Sequence, residues 1–314
     1  MLKYSELKYE DLYVGTYLIG YENQGESCVF LLYSTKPAYC VHYSIVIDCY
    51  AEEGKNKTLD ILKEKLNEHK LDMLVWTHPH QDHYVGLTDI IKQYCDKNTK
   101  ILIPSIANDC SGYNQEIQEI IKYINSLVHN RKASDMYDVQ SISNDCETLY
   151  DDHLKNIPEV EGIRFKVISP FSRLAYCNAD MKTVNYNRMS IGLLIQIYTA
   201  KDSLYYLYTG DMDEMTIKTL KYKVEIGEKV LPEHYEYIKI PHHGSLASRD
   251  LVEFFSEERR SRMAATTVFR LQNLPSEDVM NQYRNRVERL VRTDEVENNI
   301  IADDYVIVSA RKVG

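Results

Sequence analysis

Met73-Leu74-Val75-Trp76-Thr77-His78-Pro79-His80-Gln81-Asp82-His83 is the stretch whose reading decides the fold. Met73–Thr77 is an apolar run of strand length, and four ligand-type side chains follow it within six residues. Neutral imidazole and carboxylate are the donors that divalent ions such as Zn²⁺ or Mn²⁺ accept, and a strand end lets His78, His80, Asp82 and His83 converge on a small volume.

Two further strand ends carry the same chemistry. Leu204–Thr209 runs into Gly210-Asp211, and Tyr237–Pro241 runs into His242-His243-Gly244-Ser245. A Gly-Asp turn alone is commonplace; three such ends in one chain form a pattern. Further strand-like segments are Cys28–Tyr33, Ser44–Asp48, Ile101–Pro104, Ile163–Ser169, Ile191–Ile197, Thr266–Phe269 and Tyr305–Ser309. Helical spacing marks Leu59, Leu62 and Leu66, then Ile117, Ile120, Ile121 and Ile124, and an Arg-rich helix from Val279 to Val291. Strands and helices alternate through the whole length, so an α/β (α+β) fold is expected. No Gly/Ser/Pro-rich linker divides the chain, and one domain over 1–314 is read, with a helical insertion at about 111–161 and an Arg-rich part at 249–314.

The strand ends, in this order, resemble the metallo-β-lactamase-fold hydrolases. That resemblance implies a four-layered αββα sandwich with metals at one sheet edge. Within the group the chain looks most like the hydrolase domain of the ComEC DNA-uptake proteins and its free-standing relatives. Asn23-Gln24-Gly25-Glu26-Ser27, Ile45-Val46-Ile47-Asp48, Ile168-Ser169-Pro170, Asn187-Arg188-Met189-Ser190, Tyr208-Thr209-Gly210-Asp211 and His242-His243-Gly244-Ser245 with Ser248 carry it. Most enzymes of the fold have a further histidine between the first motif and the Gly-Asp turn. Only His129 and His153 stand there, and both read as surface histidines; the ComEC-like group has Asn and Ser instead, matching Asn187 and Ser190.

The resemblance implies two divalent ions, zinc or manganese. One would be held by His78, His80 and a shared Asp211, the other by Asp82, His83, Asp211 and either His242 or His243. Asp82, Asp211 and His243 are then the catalytic candidates, and Asn187, Ser190, Ser245 and Ser248 the substrate-binding ones. A phosphodiester substrate follows from the subgroup, hence a nuclease or nucleotide phosphodiesterase. A hydrolase of small esters (lactonase, thioesterase or β-lactamase-like) and a non-catalytic metal-binding subunit of a larger complex are the alternatives.

The 314 residues carry a formal charge of −10, which argues against an autonomous high-affinity DNA binder. A small substrate, a protein partner that supplies the basic groove, or the metal ions themselves would account for it. Arginine is uneven, however: ten of fourteen lie between Arg249 and Arg311. Arg284, Arg286, Arg289 and Arg292 on the Arg-rich helix are candidates for a phosphate-facing rim, against a plain solvated face. Seven cysteines without a C-x-x-C pair, no apolar leader and no membrane-length run read as a cytoplasmic protein. His42, His69 and His234 lack ligand context, and the 26 tyrosines, spread over the strands, read as packing.

Overall fold

The computed structural model describes residues 10–21, 24–105, 112–129, 132, 135–143, 148–154, 160–174, 184–199, 202–228 and 231–308. Asn23, Cys110, Cys146, Cys177, Ser309 and Arg311 lie outside the described residues.

Two seven-stranded sheets make up the molecule, in the orders β14-β1-β2-β3-β4-β5-β6 and β13-β12-β11-β10-β9-β8-β7. The first contains β1 (Glu10–Ile19), β2 (Ser27–Lys36), β3 (Cys40–Ile47), β4 (Met73–Val75), β5 (Lys100–Pro104), β6 (Asp138–Ile142) and β14 (Ile300–Val308). The second contains β7 (Thr148–His153), β8 (Val160–Ser169), β9 (Gly192–Thr199), β10 (Ser203–Tyr208), β11 (Tyr237–Lys239), β12 (Ser261–Thr266) and β13 (Val287–Arg292).

Three apolar clusters stack through the molecule and define four layers. Between the sheets lie Cys28, Phe30 and Leu32 of β2 and Met73 and Val75 of β4, facing Phe165 of β8, Leu193 and Ile195 of β9 and Tyr206 of β10. The alternate residues Val29, Leu31, Leu74 and Trp76 face outward, under α1 (Lys57–Leu66), α3 (Leu87–Tyr94) and α4 (Gln115–His129). On the far side, Leu194, Leu207 and Ile238 are covered by α5 (Glu214–Glu225), a 3₁₀ segment at Leu246–Phe254 and α6 (Glu277–Arg284). Both faces of each central strand are thus buried, which is why these strands read as unbroken apolar runs rather than as alternation. The arrangement is the αββα sandwich.

The structure adds β1, where no strand was expected, and corrects the sequence reading at three further places. The segment at about 111–161 holds the expected helix but also β6 and β7, which close one edge of each sheet; it belongs to the sandwich and is more than a helical insertion. The run from Val279 to Val291 is no single helix. It is α6 up to Arg284, then β13, paired with β12. Val287 and Val291, four apart, satisfy helical spacing, and both are buried on the strand instead because β12 supplies hydrogen-bond partners. Finally, the strand expected at Thr266–Phe269 ends at Thr266; it starts at Ser261, in a Met/Ala-rich stretch of weak strand propensity held between β11 and β13.

In the second sheet β10, β11, β12 and β13 run parallel, so their C-terminal ends share one edge. In the first, β3, β4 and β5 are parallel and the antiparallel β2 begins where β3 ends. Asp48, Thr77, Asp211, His242 and Thr267, together with Glu26 before β2, therefore come to one rim. Loops beyond the carboxyl ends of parallel strands are where α/β folds place ligands.

Candidate metal centre

His78 is wholly buried after β4, and His80 precedes α2 (Gln81–Tyr84), a single turn that carries Asp82 and His83. Asp211 follows β10 through Gly210, whose φ of 51° is left-handed; a Cβ there would sit 3.1 Å from Thr77 Cβ. After β11 the chain places His242 and His243 at φ of 50° and 51°. Two consecutive non-glycine residues in that region cost about 1–3 kcal/mol each, and such strain gathers at functional sites. Gly244 continues the turn at φ 75°, where a Cβ would meet Pro275 Cβ at 2.6 Å.

Besides Asp48, His78 and His83, two groups of donors form among the described residues, with ligand atoms inside each within 4.8 Å of one another: His78, His80 and Asp211, and Asp82, His83, Asp211 and His243. Asp211 belongs to both. His83 Nε2 lies 3.4 Å from Asp82 and 3.5 Å from Asp211, while His243 Nε2 lies 3.0 Å from Asp82 and 3.6 Å from Asp211. His78 Nε2 is 3.0 Å from His80 Nδ1 and 3.9 Å from Asp211. His242 stands outside both groups, with its ring nitrogens 3.3 and 3.4 Å from the Asn187 amide nitrogen.

Donor counting fixes two of these rings. Asp48, buried and left-handed at φ 59°, accepts from Thr77 N at 2.7 Å, from Thr77 Oγ1 at 2.6 Å and from His83 Nδ1 at 2.7 Å. A hydroxyl has one proton, and Thr77 gives it to Asp48; its lone pair then accepts from His78 Nδ1 at 2.9 Å. Both imidazoles carry their proton on Nδ1 and turn the Nε2 lone pair inward. Among the described residues His83 Nε2 is one of few buried polar atoms with no hydrogen-bond partner.

Lone pairs facing carboxylates demand positive charge between them, as protons or as metal ions. Burial works against a charged His83, but Asp211, Asp82 and Asp48 outweigh it and push its pKa well above the usual range. Burial would likewise raise Asp82 and Asp211, yet His83 and His243 hold both well below the carboxylate range. For His78, burial dominates and the pKa falls. A buried, imidazole- and carboxylate-lined cluster with an unpartnered nitrogen fits divalent metal by its donor set.

The neighbouring polar groups hold these donor groups in place. Ser190 Oγ accepts from Asp211 N at 3.2 Å, and Ser248 Oγ donates toward the carbonyls of Pro241 and Ser245 at 3.0 and 2.8 Å. Both serines are buried, so they brace the Asp211 and His242–His243 loops. Ser245 Oγ accepts from Ala247 N at the start of the 3₁₀ segment. Asn187 sits on a turn tied to Asp213 by Asn185 and Arg188, and its Oδ1 has no partner. His129 is exposed at the end of α4 against the Asn125 carbonyl, and His153 lies on edge strand β7.

Sequence reasoning passed over Asp48, Lys239, Glu26 and Thr267 as site residues. Asp48 had a signal, a carboxylate at a strand end like Asp211. Thr267 had none: a lone threonine after a weak strand announces nothing.

No family model matches the sequence, and no curated protein matches it. Solved structures do. A long-form RNase Z from yeast superposes over 93% of this chain with a TM-score of 0.50 and 13% identity; the chain spans 42% of that enzyme's length. A diphosphatase of the PhnP family matches over 89% of this chain and 94% of its own, at 11% identity and a TM-score of 0.40. The metallo-β-lactamase SMB-1 matches over 77% and 81%, at 14% identity and 0.37. At these identities the likeness is one of fold, and the fold of this chain is the metallo-β-lactamase αββα sandwich.

Proposed function

We propose that the chain is a metal-dependent hydrolase of phosphodiesters, a nuclease or nucleotide phosphodiesterase, using two divalent ions, zinc or manganese, bound by His78, His80 and Asp211 and by Asp82, His83, Asp211 and His243. The observation that carries this reading is the inward-facing set of imidazole Nε2 atoms around the shared Asp211, with His83 Nε2 buried and unpartnered. Bound metal would supply Lewis-acid stabilisation and lower the pKa of a water to about 7.

The protein's own groups do the rest. Asp82, the more exposed of the two carboxylates, orients the attacking water. Asn187 and His242, paired at the rim, donate to the non-bridging oxygens of the substrate as charge develops there. Ser245 lines the same rim, while Ser190 and Ser248 keep Asp211 and the histidine turn in register. Tyr186 meets His80 edge-on at 5.4 Å and stacks on Tyr113 at 5.6 Å and 22°. A half-buried aromatic pair beside His80 suits an unpaired base, although Tyr113 also packs against the outer apolar cluster.

The closer ComEC-type resemblance belongs to this proposal, as does a nucleic-acid or nucleotide substrate; the fold neighbour named as an RNase is compatible with it. We read 1–314 as one hydrolase domain. A cytoplasmic setting is part of this proposal; Cys28, Cys40, Cys49 and Cys95 are free among the described residues. No described helix is long and apolar enough to cross a membrane. The test is a substrate panel with Mn²⁺ and with Zn²⁺: single- and double-stranded DNA, RNA, cyclic dinucleotides, bis-p-nitrophenyl phosphate and a lactone. Phosphodiester turnover abolished by chelator is expected. Robust lactone hydrolysis beside inert phosphodiesters would move the chain to the small-ester class.

A further inference from the structure

We propose that Glu26, Lys239 and Thr267 form a buried positioning chain that fixes the tautomer and the ring orientation of His243 and presents its Nε2 lone pair to Asp82 and Asp211. The proposal rests on the reading of that cluster as a metal centre.

Three hydrogen-bond lengths and the count of protons carry it. Lys239 Nζ, 1% exposed, lies 2.5 Å from Glu26 Oε1. The lysine's remaining reach goes to the Gly210 carbonyl at 2.9 Å and to Asp211 Oδ1 at 3.4 Å, so the ammonium is fully engaged. Glu26 Oε2 accepts the Thr267 hydroxyl at 2.6 Å. That uses the only proton Thr267 has, leaving its oxygen an acceptor toward His243 Nδ1, 2.7 Å away. His243 must therefore carry its hydrogen on Nδ1, and its Nε2 is left as a lone pair 3.0 Å from Asp82 and 3.6 Å from Asp211. Phe269 stacks on the His243 ring at 5.1 Å and 20°, which holds the ring plane.

The chain repeats on the second sheet what Asp48 and Thr77 do on the first, with threonine as the spacer in each case. Glu26 enters from the turn before β2, while Lys239 ends β11 and Thr267 follows β12, so the contact also pins the two sheets together at the rim. A buried ion pair adds little net stability over a well-packed apolar replacement. Its placement against a ligand imidazole is accounted for by orientation, and supporting groups of this kind carry 10–100-fold of metal affinity.

Thr267→Val keeps the side-chain shape and deletes the hydroxyl; Thr267→Ser keeps the hydroxyl. Each full-length chain is stripped of metal, titrated with Co²⁺, and read by its ligand-field absorption, Co²⁺ affinity and thermal unfolding. In Thr267→Val one of two Co²⁺ ions should bind about 10–100-fold more weakly with altered ligand-field bands. Thr267→Ser should restore both. If Thr267→Val fails to fold, Glu26→Gln is read the same way and should show the same selective loss. Wild-type affinity and spectrum in Thr267→Val or Glu26→Gln, or no rescue by serine, overturns the positioning chain while the metal centre stands. A wild-type chain that takes up no Co²⁺ overturns the metal reading and the positioning chain with it.

Discussion

Asp48 accepts from His83 Nδ1 at 2.7 Å and, through Thr77, commands His78 as well, so one carboxylate sets the tautomers of two imidazoles contributed by one loop. Supporting carboxylates of this kind raise the basicity of a ligand imidazole and fix its direction.

Asp48→Asn tests that arrangement. Thr77 Oγ1 and His83 Nδ1 share Oδ2 while Thr77 N uses Oδ1, so an amide NH2 at either position faces a donor and leaves it unsatisfied. Metal affinity should fall by about 10–100-fold, measured by competition with a chromogenic chelator. Unchanged affinity would remove Asp48 from the support of the site.

The two adjacent histidines should separate cleanly. His243→Ala should lose bound metal, because His243 Nε2 lies within reach of Asp82 and Asp211. His242→Ala should keep its metal and lose turnover by about 100-fold, the effect of removing one donor from developing charge. Elemental analysis beside steady-state kinetics distinguishes them, and metal loss confined to His242→Ala would reverse the assignment.

The arginines expected to form a basic rim do not share a face. Arg286 pairs with Glu257 and donates to the Phe255 carbonyl at 2.6 Å, Arg289 lies 3.4 Å from Asp303, and Arg292 lies 2.9 Å from Asp294. Changing Arg286, Arg289 and Arg292 to Gln should leave the salt dependence of polymer cleavage as it is, and cost about 1–2 kcal/mol of stability, chiefly from the carbonyl contact of Arg286. A flattened salt slope in the triple variant would restore the rim.

His42 supplies a pH prediction away from the metal centre. Burial pushes its pKa down to about 4, and its Nε2 sits 3.0 Å from Ser34 Oγ. The unfolded chain protonates near 6.5. The neutral ring therefore contributes stability that is fully present above about pH 6.5 and is lost as pH falls toward 4. His42→Gln should show a shallower fall in melting temperature over that interval than wild type; identical slopes would contradict the assignment.

Much of this was legible in the chain. The Met73–His83 stretch, Gly210-Asp211 and His242-His243 each pair an apolar strand with ligand residues, and strand ends at one edge must meet. The edge strands β6, β7 and β13 were not legible, because an edge strand is half-solvated and carries charges that blur its period. The approach of His243, rather than His242, to Asp82 and Asp211 was hidden as well, since it depends on two left-handed backbone residues and on a threonine 24 positions away. Ser190 and Ser248 read as substrate groups from their type; only burial shows that backbone groups occupy them.

The central claim is that Asp211 is shared by two metal sites. Its carboxylate reaches toward His78, His83 and His243 at 3.9, 3.5 and 3.6 Å. The direct measurement is elemental analysis of the purified chain and of Asp211→Ala, each saturated with Zn²⁺ or Mn²⁺ and desalted. Wild type should retain one to two divalent ions per chain, and Asp211→Ala should lose most of them while remaining folded by circular dichroism. Equal metal in a folded Asp211→Ala chain would contradict the account.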